Sequence, residues 1–513
     1  VISKSFATSS DFLNIYVDGK DWLDKPHFPF WLCALSMKIF GVSSFAYRLP
    51  SLGLFVTGLI YTYKLAQRLY DRDTALLAVM ILTYSLHIFI SNNDVRAESM
   101  LIGLIMGGVY HFFRSSTGGS ILHIVIGSLF CAAAVMTKGP FVFIVFGSAI
   151  IGFLLGKDEY RAMFSKRWLL ALVLVALFIT PELLALYWQF DSHPEKDILG
   201  ATHVSGLKFF VWDTQFGRFF NTGPFKGSGD PAFYFHTILW AFAPWAAIGY
   251  VAFGNRLWGL IKRRPATEYL TVSGFMLMFV VFSASRFQLP YYLNILYPFL
   301  AIICARSILT GVPESNTVRR ILWSSNYVFA VIFLIATGGM EFVFGGWTIG
   351  MPLLIAALLA AMYLTVFRIE MQFVFRAIYC SAAALGLFAL YANLIFYPRL
   401  LEYQSGSEAA IFANVNVPGV PIGYTQYDNL LQFYAKADLV RVDSAEKVRV
   451  LSTAARYVFL VDDAFIKELE NAKIPYRIIR EFDDYRITRL TMQFLNPATR
   501  AEVVNRKYLI STE

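Results

Sequence analysis

Residues 74–113 read TALLAVMILTYSLHIFI, SNNDVRAES and MLIGLIMGGVYHFF, two apolar runs on either side of a short polar segment. Runs of this length and hydropathy are typical of helices in lipid or in a protein core. Asp94, Arg96 and Glu98 lie in the polar segment. Charged side chains are costly in such a setting, so we expect them either to serve a function or to lie at the membrane surface. The rest of the chain decides which of these applies.

The composition predicts an integral membrane protein. Of the 513 residues, 57% are hydrophobic and only 15% are charged, whereas soluble domains carry about 25% charged residues. The net charge of +9 does not indicate a nucleic-acid partner, because the basic residues fall in short clusters between apolar runs. Four cysteines lie inside apolar runs without a CxxC spacing, and we interpret them as core residues: Cys33, Cys131, Cys304 and Cys380.

About twelve apolar runs reach the roughly 17 to 25 residues that a membrane-spanning helix needs. They lie near 47–68, 74–91, 97–113, 119–137, 140–156, 168–189, 232–253, 266–284, 288–308, 321–341, 348–367 and 372–396. The sequence therefore predicts an α-helical polytopic membrane protein.

The basic clusters predict the orientation of these spans. They occupy every second connection, which marks those loops as cytoplasmic: Lys64, Arg68 and Arg72; Arg114; Lys157, Arg161, Lys166 and Arg167; Arg256, Lys262, Arg263 and Arg264; Arg319 and Arg320; Arg368 and Arg376. Residues 1–46, the long loop 190–231 and everything after about 397 then fall on the extracytoplasmic side, with 10–46 predicted to lie along the interface. A chain that begins on that side needs a further helix upstream of Val1.

Two domains are predicted, a transmembrane domain over 1–397 and a soluble extracytoplasmic α/β domain over 398–513. The second contains short β-like runs, PIGYT, ADLVRVD, ARYVFLVD, PYRIIREF and YRITRLT, separated by helical stretches such as DDAFIKELENA.

The unusual polar residues collect near the extracytoplasmic ends of the apolar runs, so a common surface is expected there. They are Lys25, Asp94, Arg96, Glu98, Lys138, Arg218, Lys226, His236 and Arg286. A site for a phosphate-linked substrate needs cations for the phosphate and an acid to accept a proton. Asp94 and Glu98 are the candidate acids, and if the helix after them begins early they share one of its faces.

Each of these residues also has a plainer interpretation. Asp94 and Glu98 can be solvated or can cap a helix, and Lys25 and Lys138 can extend toward lipid headgroups. His236 is either a packed interfacial side chain or a metal ligand. Arg286 has no basic neighbours and lies on the extracytoplasmic side, where the charge pattern predicts few basic residues. No cofactor is expected, because no metal-like ligand spacing supports a divalent ion.

The chain resembles the polytopic GT-C glycosyltransferases of the protein O-mannosyltransferase and lipid A aminoarabinose transferase type. The likeness covers roughly residues 10–300, through DWLDKPHFPFWLCALSMKIFGVSSFAYRLPS, NDVRAESML, TKGP, FYFHTILWAFAPW and SRFQLPYYLNILYPFLAI. It implies a bundle of about thirteen helices in a bacterial inner membrane, with a cavity on the extracytoplasmic face. The implied donor is a sugar on a polyprenyl phosphate, and the acceptor is lipid A, a protein or a glycan.

The resemblance also implies residue roles. Lys25 matches the lysine of the KP motif, Lys138 that of KGP, and Arg286 precedes the P-x-Y element that contains Tyr291. Glu98, with Arg96 two residues before it, stands where the family usually has Asp. The family's Asp-Glu pair at the end of its first helix has no counterpart in this sequence.

The expected chemistry is inverting displacement at the anomeric carbon. Cations stabilise the departing polyprenyl phosphate, with Lys25, Arg96, Lys138, Arg218 and Arg286 as candidates. A transporter or lipid flippase is the alternative, although such proteins place ionisable groups near mid-span and often carry internal repeats. A third possibility is a membrane-anchored scaffold whose domain after Pro398 binds a partner.

Overall fold

The computed structural model describes residues 1–9, 11–198, 200–223, 225–262, 268–310, 316–345 and 373–512, with the isolated positions 356, 360 and 363. Its contacts divide the chain into two compact units. One contains Ile2–Ala330 and Met371–Leu385, and the other contains Val1, Val331–Glu370 and Gly386–Glu513.

The first unit is helical. Its described helices of eight or more residues, with those that continue out of it, are Phe28–Phe40 (α1), Ser44–Leu69 (α2), Arg72–Thr83 (α3), Leu86–Asn93 (α4), Ala97–Ser116 (α5), Ile121–Lys138 (α6), Val142–Gly156 (α7), Lys166–Leu186 (α8), Phe233–Ala241 (α9), Ala246–Ile261 (α10), Leu270–Ala284 (α11), Tyr297–Leu309 (α12), Asn316–Phe344 (α13) and Phe373–Tyr391 (α14). Other elements connect them: a helix at Ile2–Thr8, a hairpin of Tyr16–Val17 (β1) and Lys20–Asp21 (β2), a π-helical turn at Phe209–Gly217 and a 3-10 helix at Pro290–Leu296.

Polar side chains define where several helices begin. The side chains of Ser43, Asp71 and Ser165 each accept a hydrogen bond from a backbone N–H in the first turn of the helix that follows. These bonds satisfy donors that have no partner within the helix.

Within the described residues, five helices are long and apolar enough to cross a membrane: Ile121–Lys138, Tyr160–Asp191, Pro290–Leu309, Arg319–Phe344 and Phe375–Leu401. A sixth is possible if α3 and α4, which meet at a bend of 58°, form one span. The predicted run 74–91 is thus a broken helix, and the run 232–253 is divided between α9 and α10. Apart from the isolated positions 356, 360 and 363, the predicted span 348–367 lies outside the described residues.

Helix α5 is the central element of this unit, and most of its residues are buried. Its approach to α2 depends on glycine, because a Cβ atom on Gly103 would lie 2.0 Å from the backbone oxygen of Leu54. Gly58 packs against Ile102 in the same interface. Small residues at such contacts are typical of helix packing in membranes. This packing fixes α5, whose first turn carries Glu98.

The second unit contains a mixed five-stranded sheet. Its strands are Ile422–Tyr424 (β3), Leu439–Arg441 (β4), Val458–Asp462 (β5), Arg477–Asp484 (β6) and Asn505–Ser511 (β7). The order is β4-β3-β5-β7-β6, with β3 parallel to β4 and β5, and β7 antiparallel to β5 and β6.

Helices cover both faces of this sheet. Ser405–Asn416 contributes to the apolar cluster on one face, while Ala445–Ala454 and Asp463–Asn471 contribute to the cluster on the other. The predicted strand over 485–491 is wrong, because those residues form turns after β6 ends. The strand β7 follows instead, in a segment that the pattern did not single out.

Candidate active site

Five chain segments of the helical unit bring charged and aromatic side chains together. They are the loop before α1, the junction of α4 and α5, the end of α6, the residue after the π-helical turn, and the 3-10 helix Pro290–Leu296. Each segment ends or begins a helix, which leaves polar side chains free to project from the bundle.

The junction of α4 and α5 separates the two candidate acids. Asp94 follows the last residue of α4, Val95 adopts a positive φ of 50°, and α5 begins at Ala97. The expectation that Asp94 and Glu98 project from one helical face is therefore wrong, since the chain turns between them. The carboxylate of Asp94 is about half exposed, at 53%, and pairs with Arg96.

Glu98 is buried in the first turn of α5 and forms an ion pair with Lys138, the last residue of α6. The Lys138 ammonium also lies 4.0 Å from the ring centroid of Tyr292 and 5.4 Å from that of Tyr291. Gly139 ends the helix at a φ of 108°, a backbone conformation that suits glycine. The cation is thus held between a carboxylate and two aromatic faces.

Asp24 joins two further cations. Its carboxylate lies 3.0 Å from the Lys25 ammonium and accepts a hydrogen bond of 3.0 Å from the guanidinium of Arg218. Arg218 also lies 4.6 Å from the ring centroid of Phe225. The sequence argument selected Lys25 and Arg218 but missed Asp24, although its position next to Lys25 was an available signal.

Arg96 and Tyr291 are in contact with each other in the same site. The guanidinium carbon of Arg96 lies 4.2 Å from the ring centroid of Tyr291, which is the geometry of a cation–π contact. Arg96 therefore contacts both the Asp94 carboxylate and the Tyr291 ring.

These groups line a cavity of about 460 Å³. Its charged lining consists of Lys25, Arg96, Lys138 and Arg218 with Asp24, Asp94 and Glu98. The four cations exceed the three carboxylates by one formal positive charge. A singly charged anion would balance it.

An apolar groove of about 360 Å³ adjoins this cavity. Phe141, Ile144, Phe216, Phe219 and Phe282 are among its lining residues. The groove and the charged cavity share Lys138, Arg218, Phe287 and Tyr292. A ligand with an anionic head and a hydrocarbon chain would fit both at once.

Three predicted surface residues lie elsewhere. Arg286 and Lys226 are exposed and line neither the cavity nor the groove. His236 is exposed as well, with its Nε2 3.8 Å from the Asp230 carboxylate. Among the described residues, no three His, Cys, Asp or Glu side chains are grouped in a way that would hold a metal ion.

Comparisons with known proteins agree with this architecture. A family model described as dolichyl-phosphate-mannose-protein mannosyltransferase matches residues 24–188. An uncharacterized protein of Aquifex aeolicus (strain VF5) is 27% identical over 312 residues, covering 59% of this chain and 56% of its own. A Pseudomonas aeruginosa (strain UCBPP-PA14) protein named undecaprenyl phosphate-alpha-4-amino-4-deoxy-L-arabinose arabinosyl transferase is 23% identical over 322 residues, covering 62% and 55%. The chain spans about half the length of the curated relatives it matches.

Solved structures extend the likeness over the whole chain. The crystal structure of ArnT from Cupriavidus metallidurans bound to undecaprenyl phosphate matches with a TM-score of 0.70 and 16% identity, covering 100% of this chain and 92% of that one. The apo structure of the same protein matches with a TM-score of 0.68 and the same identity and coverage. The predicted resemblance to polytopic GT-C glycosyltransferases is confirmed for the fold, and the chain is a multi-pass membrane protein.

Proposed function

We propose that this protein is a membrane glycosyltransferase that moves a sugar from a polyprenyl-phosphate donor to lipid A, a protein or a glycan. The observation that carries the proposal is the junction of the charged cavity and the apolar groove at Lys138 and Arg218. A polyprenyl-phosphate sugar has three parts, an isoprenoid chain, a phosphate and a polar sugar. They correspond to the groove, its junction with the cavity, and the cavity.

The donor phosphate binds between the cations of the site. A sugar phosphodiester carries one negative charge, which balances the single excess positive charge of the charged lining. Arg218 offers a planar fork of donors for phosphate oxygens, and Lys138 offers a compact charge beside it. Lys25 and Arg96 complete the positive surface.

The reaction is an inverting displacement. An acceptor oxygen attacks the anomeric carbon, the bond from that carbon to the phosphate oxygen breaks, and polyprenyl phosphate leaves with the electron pair. Negative charge grows on the phosphate in the transition state, so the cations bind the transition state more tightly than the ground state. No acid is needed for this leaving group.

The acceptor proton passes to a carboxylate of the cavity. Asp94 and Glu98 remain the two candidates, and their environments divide the roles. Asp94 is half exposed within the cavity and can reach an acceptor from solvent or membrane, so we assign it as the proton acceptor. Glu98 is buried and holds Lys138 in place.

The same proposal includes a topology of about twelve spans, with the charged cavity on the extracytoplasmic side of the bacterial inner membrane. The basic clusters support it, since positively charged short loops stay in the cytoplasm. Arg114 lies in the last turn of α5, at the end opposite to Glu98, and Lys157 follows α7, at the end opposite to Pro140. The domain after 397 lies on the same extracytoplasmic side in this topology.

Transfer from undecaprenyl-phosphate-linked sugars in proteoliposomes tests the proposal. The parent protein is expected to glycosylate lipid A or a cell-envelope glycan, detected by mass spectrometry. Arg218→Ala is expected to lower the rate about 100-fold, as loss of a group that stabilises developing charge does. Arg286→Ala removes an exposed arginine outside the cavity and is expected to stay within about twofold. Equal losses in the two variants, or no transfer from any such donor, would refute the proposed site.

A further inference from the structure

A buried carboxylate lies behind the charged cavity and has no part in the proposed reaction. Glu182 belongs to α8 and is fully buried. An ionisable side chain inside an apolar helix is expensive and is normally kept because it serves a function. Among the residues that the structure describes, the hydrogen bonds that its two oxygens accept come from His27 and Phe28, at the start of α1.

The geometry is that of a helix cap supplied by another helix. The backbone N–H of His27 donates to the two Glu182 oxygens at 3.0 and 3.1 Å, and that of Phe28 donates at 3.3 Å. Within α1 itself, no side-chain cap comes from the residue that precedes the helix. The Glu182 carboxylate satisfies these free backbone donors and faces the positive end of the α1 dipole.

The His27 ring strengthens this attachment. Its Nδ1 lies 2.9 Å from Glu182 Oε1, and its Nε2 donates to the backbone oxygen of Leu13 at 2.9 Å. A carbonyl oxygen can only accept a hydrogen bond, so Nε2 of His27 carries a hydrogen. The other proton of the His27–Glu182 pair lies between Nδ1 and Oε1. The ring is fully buried, which leaves it no alternative partner in solvent.

The attachment fixes the segment that carries Lys25. This segment runs Asp24, Lys25, Pro26, His27. It is held at one end by the bond between Asp24 and Arg218 and at the other by the bonds between His27 and Glu182. Pro26 has a restricted φ, so a shift at His27 moves Lys25 rather than being absorbed between them.

We infer that Glu182 is a positioning residue for the donor phosphate, acting through His27 to place the Lys25 ammonium in the charged cavity. This inference rests on the proposed function. Glu182 does not touch the donor. It determines where the cation that binds the donor is held.

A double-mutant cycle on undecaprenyl phosphate binding to the purified protein tests the inference. Glu182→Gln and Lys25→Ala are each expected to raise the dissociation constant about tenfold over the parent. The double variant is expected to show the same increase of about tenfold, no larger than either single variant. The coupling arises because Glu182 acts only through Lys25. Ser128→Ala is the control, since it removes another buried hydrogen bond to α8, at Ala171, and its effect should multiply with that of Lys25→Ala.

The outcomes separate this inference from the proposed function. A double variant that is about 100-fold weaker, the product of the single effects, overturns the positioning role alone. A Glu182→Gln variant that binds like the parent does the same. A Lys25→Ala variant that binds like the parent contradicts both the donor site and the inference. If Glu182→Gln fails to fold, His27→Gln breaks the same attachment from the loop side and gives an equivalent cycle.

Discussion

The Lys138 ammonium is paired with the Glu98 carboxylate at the inner wall of the cavity, and both side chains are largely buried, with 15% and 3% exposed. The pair links the end of α6 to the first turn of α5. It therefore has two effects that experiments can separate, one on stability and one on the charge offered to a ligand.

The stability effect is tested by removing one charge or both. Lys138→Met is expected to lower the free energy of unfolding by about 3–5 kcal/mol, because it leaves the Glu98 carboxylate buried without its cation. The Glu98→Gln/Lys138→Met double variant should recover most of that loss, since no uncompensated charge remains. Thermal unfolding in detergent measures the difference. A double variant that is as unstable as Lys138→Met would contradict a buried ion pair.

The proton-accepting role of Asp94 predicts a specific kinetic change. Asp94→Asn is expected to lower kcat about 100- to 10,000-fold, in the range for loss of a general base. The Michaelis constant for the donor should change little, because the cations that hold the phosphate remain. Asp230→Asn is a suitable control, since Asp230 is exposed and outside the cavity. Equal kcat values for the two variants would assign the proton to another group.

The Arg96 guanidinium lies over the ring of Tyr291 and also has a hydrogen bond to the phenol, and we attribute the larger part of the contact to the ring. Tyr291→Phe keeps the ring and should retain transfer within about twofold of the parent. Tyr291→Leu removes the ring, and the loss of a contact worth about 0.5–2 kcal/mol should weaken donor binding roughly 2- to 30-fold. Donor titrations of both variants measure this. Similar losses in the two variants would mean that the hydroxyl is the important group.

The close packing of α2 against α5 predicts a strong effect of a single methyl group. Gly103→Ala directs a Cβ atom at the Leu54 backbone, 2.0 Å away, and backbone cannot move aside cheaply. We expect a loss of stability of about 1–3 kcal/mol or more, as in other overpacked interiors. Gly147→Ala, where nothing lies within 4 Å of the added atom, should be neutral or stabilising. Equal melting temperatures for the two variants would contradict this packing.

The sequence predicted where many helices run, because apolar length is a local property. It did not predict that 74–91 bends between α3 and α4, since hydropathy averages over a window and carries no direction. It also placed a strand at 485–491 and missed β7. Strand pairing is set by distant partners, here β5 and β6, and these are invisible in the local pattern.

For the candidate site, position near the ends of apolar runs was informative. Lys25, Asp94, Arg96, Glu98, Lys138 and Arg218 were selected in this way, and they line one cavity in the structure together with Tyr291, which the family resemblance singled out. Arg286 also lies near the end of an apolar run, but it is exposed and outside the cavity. The sequence could not exclude it, because it does not say which way a loop side chain projects. Glu182 was missed because a single carboxylate in an apolar run has meaning only through its partner in another segment, whereas Asp24 was missed although it stands next to Lys25.

The most direct test of the account is a structure of the protein with undecaprenyl phosphate bound. We predict the phosphate about 3 Å from the Lys138 ammonium and the Arg218 guanidinium, the usual distance of a charge-assisted hydrogen bond. The isoprenoid chain should follow the groove past Phe141, Phe219 and Phe282. A phosphate bound away from both cations, or an isoprenoid chain outside this groove, would contradict the proposed donor site.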